Sequence, residues 1–324
     1  MTKPTAWKLA RAASAAALLG ILFWRLDLSP LRERLHAFEP AWYLAGLAGI
    51  LVYVVVQALL LQGLLAARGP RASVADLARM IFVSSFFGLF LPGGIGADAV
   101  LCYMLFRSTT AKESVLSAVL FARIVTLMGM VALAFAAGLH PRCPLPGLKA
   151  VALALLAAAV VGAAAFVFTW RRWGARQLAR LADGTSLPRR AARFGLRTLD
   201  VLSDLSGDPR ALGRVVPLVL IVSLMRIGMD YVSARSLGLA IAPINFFLFT
   251  PVATIATTIP LTTAGLGVRE GSYVYLFSLV GVKGADAMCV SLVSFSFTLW
   301  VSLIGAFIYA ASSARLALAQ APRQ

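Results

Sequence analysis

Charge is what this 324-residue sequence has least of. Only 13% of its residues are Asp, Glu, Lys or Arg, about half the share in a soluble domain. With 60% hydrophobic residues and a mean hydropathy of +0.87, too little polar surface remains to coat a water-soluble globule of this size. A cytosolic enzyme, a nucleic-acid-binding domain and a disulfide-built secreted module are excluded. Cysteine is scarce too. Cys102 and Cys289 fall in apolar stretches and Cys143 in a short loop, which suits small buried hydrophobes rather than a framework. The 2 histidines, His36 and His140, are too few for a His-built metal site or a His-activated nucleophile. No metal, cofactor or catalytic group is expected, and no enzyme. Acidic residues number 13 against 30 basic ones, a net charge of +17. Positive loops on the inner side of a membrane and an anionic lipid surface account for that excess, with no nucleic acid.

What is present is apolar sequence in long runs. A bilayer-crossing helix needs about 20 mainly apolar residues. Residues 8–25, 41–63, 114–139, 148–170, 212–237 and 287–312 qualify. The first resembles a signal peptide in having Lys3, Lys8 and Arg11 ahead of it. No A-x-A-like cleavage site ends it, so an uncleaved helix is expected. Two further regions, 80–106 and 245–281, each consist of two apolar arms separated by Pro and Gly. In the first, arms at 80–91 and 95–106 span about 18 Å each, half a membrane. Each region is one kinked helix or a hairpin that returns to its own side.

Charge placement favours hairpins. With the N-terminus inside and both regions re-entrant, Lys3, Lys8, Arg11, Arg68, Arg71, Arg79, Arg107, Lys112 and the arginines from 171 to 214 all lie inside. A full crossing at 80–106 would put that arginine-rich loop outside, against the positive-inside rule. The expected fold is an all-α integral membrane protein of six full transmembrane helices plus two inverted re-entrant helical hairpins. Residues 1–170 form one half, 171–210 an Arg-rich cytoplasmic linker that can lie on anionic headgroups, and 211–324 the other half. Both termini are cytoplasmic. Inverted arrangements of this kind place transport sites near the midplane.

The breaks share a local pattern. Pro92, Gly93, Gly94 and Gly96 precede Asp98; Pro260, Gly265 and Gly267 precede Glu270, with Gly271 behind it. The G-x-G here follows no strand and is no dinucleotide fingerprint. In a membrane it frees N–H groups and starts a new helix, both suited to an anion. Six charges lie in apolar segments: Asp98, Arg123, Arg226, Asp230, Arg269 and Glu270. Each costs about 2.5–3.5 kcal/mol at a helix centre, so partners are required. Three structural ion pairs satisfy that need. So does a polar midplane cavity, in which arginines hold a phosphate and the acids hold the arginines or exchange a proton. Ser84, Ser85, Thr257, Thr258, Thr262 and Thr263 stand near the breaks, where bonding to the helix backbone is the first expectation.

"FLPGGIGADAVLCYMLFR", "SAVLFARIV" and "IPLTTAGLGVREGSYVYLFSLVG" resemble the lysylphosphatidylglycerol synthase transmembrane-region family. Its flippase-like bacterial and archaeal members include the membrane half of the multiple peptide resistance factor. The resemblance spans nearly the whole chain. It implies lipid translocation, with Asp98, Arg123, Arg269 and Glu270 at characteristic positions. Two departures stand out: Ala97 replaces a glycine, and Leu101 occupies a position where the family commonly has an arginine. A soluble aminoacyl-transferase domain is not expected, since Gln324 follows closely on the last span. The expected activity is a flippase or scramblase in the bacterial inner membrane. Its cargo is a lipid with an anionic headgroup: a phospholipid, an aminoacyl-phospholipid or a polyprenyl phosphate. A role as an accessory subunit of a lipid- or glycan-synthesis enzyme is the alternative, and an intramembrane lipid enzyme a weaker one. A second copy of the chain or a lipid-synthesis protein is a compatible partner.

Overall fold

A computed structural model describes residues 37–66, 72–91, 96–107, 109, 111–140, 209–258, 265 and 267–319. Among them are eight helices: α1 (Pro40–Leu65), α2 (Val74–Gly88), α3 (Gly96–Phe106), α4 (Lys112–Gly138), α5 (Pro209–Ser236), α6 (Pro243–Thr258), α7 (Val268–Ser278) and α8 (Gly284–Ala319). Four of these are long and apolar enough to cross a membrane: Pro40–Leu65, Lys112–Gly138, Gly213–Ser236 and Gly284–Ser312. They match four of the six expected spans. The spans at 8–25 and 148–170 lie outside the described residues, as do nearly all of the linker and Pro92, Gly93, Gly94, Pro260, Thr262 and Thr263.

Each long helix buries one stripe and leaves the rest apolar. On α1, Gly46, Ile50, Val54, Ala58, Leu61 and Leu65 recur every three or four residues, the spacing of one helical face, and α1 packs along α5. Its other face exposes Leu44, Leu51, Val52, Val55 and Leu59, and α8 exposes Leu303 and Phe307. Hydrocarbon receives such a surface without penalty. Interhelical contact there must come from close packing instead. A Cβ built on Gly305 of α8 would stand 2.0 Å from the Phe82 carbonyl oxygen of α2, so only glycine fits. Beside it, Ser302 Oγ donates to the Ser85 carbonyl at 3.2 Å. Cys102 and Cys289 are both buried as thiols.

Both interrupted regions double back. Phe246, near the start of α6, and Phe277, near the end of α7, have ring centroids 5.1 Å apart. One straight helix would separate them by about 45 Å. At the other end of the pair, a Cβ on Gly265 would meet Thr257 Cβ at 3.0 Å. In the first region, a Cβ on Gly88 would lie 2.8 Å from Ala97 Cβ, against about 13 Å along a straight helix.

The first arm departs from expectation: it runs from Val74 to Gly88 rather than over 80–91. Ser73 Oγ accepts from the Asp76 amide at 3.1 Å and donates to Asp76 Oδ2 at 2.6 Å. That N-cap starts the helix among charged residues.

The hairpins open at opposite ends of the bundle. Gln62, in the last turn of α1, donates to the Ala72 carbonyl at 2.9 Å just before α2. At the other end of α1, the Glu39 amide donates to the Ser236 carbonyl at 2.8 Å, a few residues before α6.

Candidate functional site

Four of the six in-span charges form the two expected close pairs. Arg226 Nη1 lies 3.2 Å from Asp230 Oδ1, one turn along α5. Arg269 Nη2 lies 2.7 Å from Glu270 Oε1. The third pairing is not closed. Asp98 lies within electrostatic range of Arg123 but makes no direct ion pair or hydrogen bond among the described residues.

Asp230 is the best-bonded side chain of the set. It is 0% exposed. Oδ1 accepts from Arg226 and from Ser294 Oγ at 2.5 Å. Oδ2 accepts from Thr250 Oγ1 at 2.8 Å and from the Tyr273 hydroxyl. These donors come from α5, α8, α6 and α7, so one carboxylate fastens both arms of the second hairpin to two long helices. Every lone-pair position is used.

Glu270 and Arg269 form a second closed unit. Glu270 Oε2 accepts from the Gly267 amide at 2.5 Å, which caps α7 at its first turn. Gly267 holds φ +82° and Gly265 φ +73°, the left-handed region that glycine enters freely. Arg269 Nε donates to Ser291 Oγ at 2.9 Å, and its guanidinium sits 4.5 Å from the Phe295 ring centroid. Arg269 and Glu270 are 7% and 8% exposed.

Arg123 differs. It stands near the middle of α4 and is half-buried. Nη2 donates to Thr258 Oγ1 at 3.4 Å, and buried Nε has no partner. Thr258 is the last residue of α6, and Asp98 lies in the first turn of α3. Both breaks therefore converge on Arg123, an arginine whose buried Nε has no partner.

The hydroxyls behave as their positions suggest. Ser84 and Ser85 donate to the Ile81 carbonyl at 3.0 and 2.8 Å, and Thr257 and Thr258 to that of Thr254 at 2.8 and 3.0 Å. Thr250, Tyr273, Ser291 and Ser294 escape a sequence reading. Their partners lie on other helices, and no spacing along the chain reveals that. Among the described residues, no group of three or more His, Cys, Asp or Glu side chains is placed to hold a metal ion.

The family model for the lysylphosphatidylglycerol synthase TM region matches residues 7–306. The chain belongs to this family. No curated protein and no solved structure matches it. The match takes in both hairpins and all six in-span charges, and the family with its apolar helices makes the chain a multi-pass membrane protein.

Proposed function

We propose that this membrane protein moves a phosphate-bearing lipid between leaflets, its headgroup passing a polar layer near mid-bilayer while the acyl or prenyl chains stay in hydrocarbon. The convergence of both helix breaks on Arg123 carries this reading. In this reading the bundle sits in a bacterial inner membrane with both hairpins re-entrant. The first opens to the cytoplasm beside Arg79, Arg107 and Lys112.

The six charges then divide their work. Arg123 receives the phosphate, since a guanidinium offers a planar fork to phosphate oxygens and its buried Nε here has no partner. Asp98 balances Arg123 when no lipid is bound, which lowers the cost of a lone cation at that depth. The exposed flank of Arg226, whose side chain is 26% accessible, extends the cationic layer. Asp230, Arg269 and Glu270 hold the second hairpin in place. No bond of the lipid is made or broken. An anionic headgroup moving outward gains about 2.3 kcal/mol per charge for each 100 mV, inside negative.

The test is a proteoliposome assay with an acyl-labelled anionic phospholipid and a membrane-impermeant quencher. Label should leave the inner leaflet faster than in protein-free vesicles, and Arg123→Gln should slow it at least about tenfold, one lost charge-assisted contact. No acceleration by the wild-type protein, or full speed in Arg123→Gln, overturns the proposal.

A further inference from the structure

Tyr53 and Gln57 stand one turn apart near the middle of α1, both half-buried, among side chains that are mostly apolar. Gln57 Nε2 donates to the Tyr53 hydroxyl at 2.9 Å. Neither side chain makes another hydrogen bond among the described residues. The phenolic proton, the amide carbonyl and the second amide hydrogen are left over. The Gln57 carbonyl is not buried without a partner, so it stays accessible to a ligand. Tyr53 also lies within electrostatic range of Arg226, Arg123 and Asp98, which come from α5, α4 and α3. It is a neutral group near charges of both clusters.

We infer that Tyr53 and Gln57 form a neutral subsite that holds a hydroxyl of the lipid headgroup while Arg123 holds its phosphate. The inference rests on the lipid-translocation reading. A hydroxyl both donates and accepts; the Gln57 carbonyl takes its proton and the Tyr53 phenol gives one back. Guanidinium and carboxylate groups alone select charge and cannot make that distinction. An ammonium headgroup only donates, so it can use the Gln57 carbonyl but offers the Tyr53 phenol nothing to donate to. A bare phosphomonoester carries no alcohol to fill the pair. The favoured class is therefore a phosphodiester lipid with a polyol or sugar headgroup.

Native mass spectrometry of the detergent-purified chain tests this against phosphatidylglycerol, phosphatidylethanolamine and phosphatidate of matched chains. The same three lipids are followed in proteoliposomes. Wild-type protein should retain phosphatidylglycerol about tenfold over the other two, the worth of a paired hydroxyl contact. Gln57→Leu should bring that ratio close to one. Tyr53→Phe, which keeps the ring and its packing, should reduce it part of the way. Arg123→Gln should weaken all three lipids and keep their order. A wild-type protein without the preference, or a Gln57→Leu or Tyr53→Phe protein that melts normally and keeps it in full, overturns the subsite. If binding follows this pattern but vesicles with protein move no label faster than empty ones, the subsite stands and translocation falls. Translocation without the preference sinks the subsite alone.

Discussion

The two helical hairpins share a plan and are fastened by opposite means. Each has two short helices, a glycine-containing break and an acid just after it. The second is tied by charge: Asp230 bonds to Thr250 of α6, Tyr273 of α7 and Ser294 of α8, and Glu270 caps α7 while pairing Arg269. The first is tied by shape. Gly305 lets α8 touch the α2 backbone, and Gly88 lets α3 return against α2, while its acid, Asp98, bonds to nothing described. Polar residues in a membrane therefore need separate judgement. A fully partnered carboxylate is architecture. An unpartnered one near an arginine with an unpaired Nε has bonding capacity that the fold does not use.

Asp230→Ala breaks the comparison hardest. It leaves three buried hydroxyls without an acceptor and Arg226 without its counter-charge. Loss of one partner from a buried network costs about 3–5 kcal/mol, so thermal unfolding in detergent should fall steeply or the protein should not accumulate. A variant as stable as wild type would show that the second hairpin is not held this way. Glu270→Gln follows, at about 2–3 kcal/mol, because an amide still accepts one bond but leaves the buried Arg269 charge uncompensated. The same melting experiment reads it.

Asp98→Asn should act in the other direction. With no hydrogen bond to lose, its stability should stay within about 1 kcal/mol of wild type. Translocation should fall at least about tenfold, as the balance of charge opposite Arg123 is removed. A large drop in melting temperature with transport intact would reverse the roles assigned to the two hairpins.

How far the sequence alone reaches follows the same division. The four long helices are legible because a run of about 20 apolar residues matches the hydrocarbon thickness of a bilayer and far exceeds what a soluble core element needs. The breaks are legible because Pro92, Gly96, Pro260 and Gly265 interrupt apolar runs. The in-span charges announce themselves by their cost, and the i, i+4 spacing of Arg226 and Asp230 already suggests their bond. The hub around Asp230 is invisible in one dimension. Serine or threonine occurs on every described helix except α1 and α3, and most of these hydroxyls, such as those of Ser84 and Thr254, bond to their own backbone. Which of them turns toward a carboxylate is decided by packing between helices. Tyr53 and Gln57 are hidden for a related reason: they sit in the most apolar of the four described spans.

The start of α2 is the remaining place where hydropathy misleads, and it gives the smallest test. Asp76 and Arg79 make residues 74–79 look like loop, yet Ser73 caps a helix there. Ser73 and Asp76 bond at the exposed mouth of the first hairpin, far from the break. Ser73→Ala should therefore cost about 1 kcal/mol, the worth of an N-cap, and leave the translocation rate where it was. Asp76 also pairs with Arg79 at 3.4 Å, an exposed contact worth little, so the cap itself carries the effect. If Ser73→Ala slowed transport as much as Asp98→Asn, the first hairpin would work as one lever from its mouth to its break. Close packing through Gly88 and Gly305 would then be transmitting motion, where the division drawn between the hairpins has it only holding helices together.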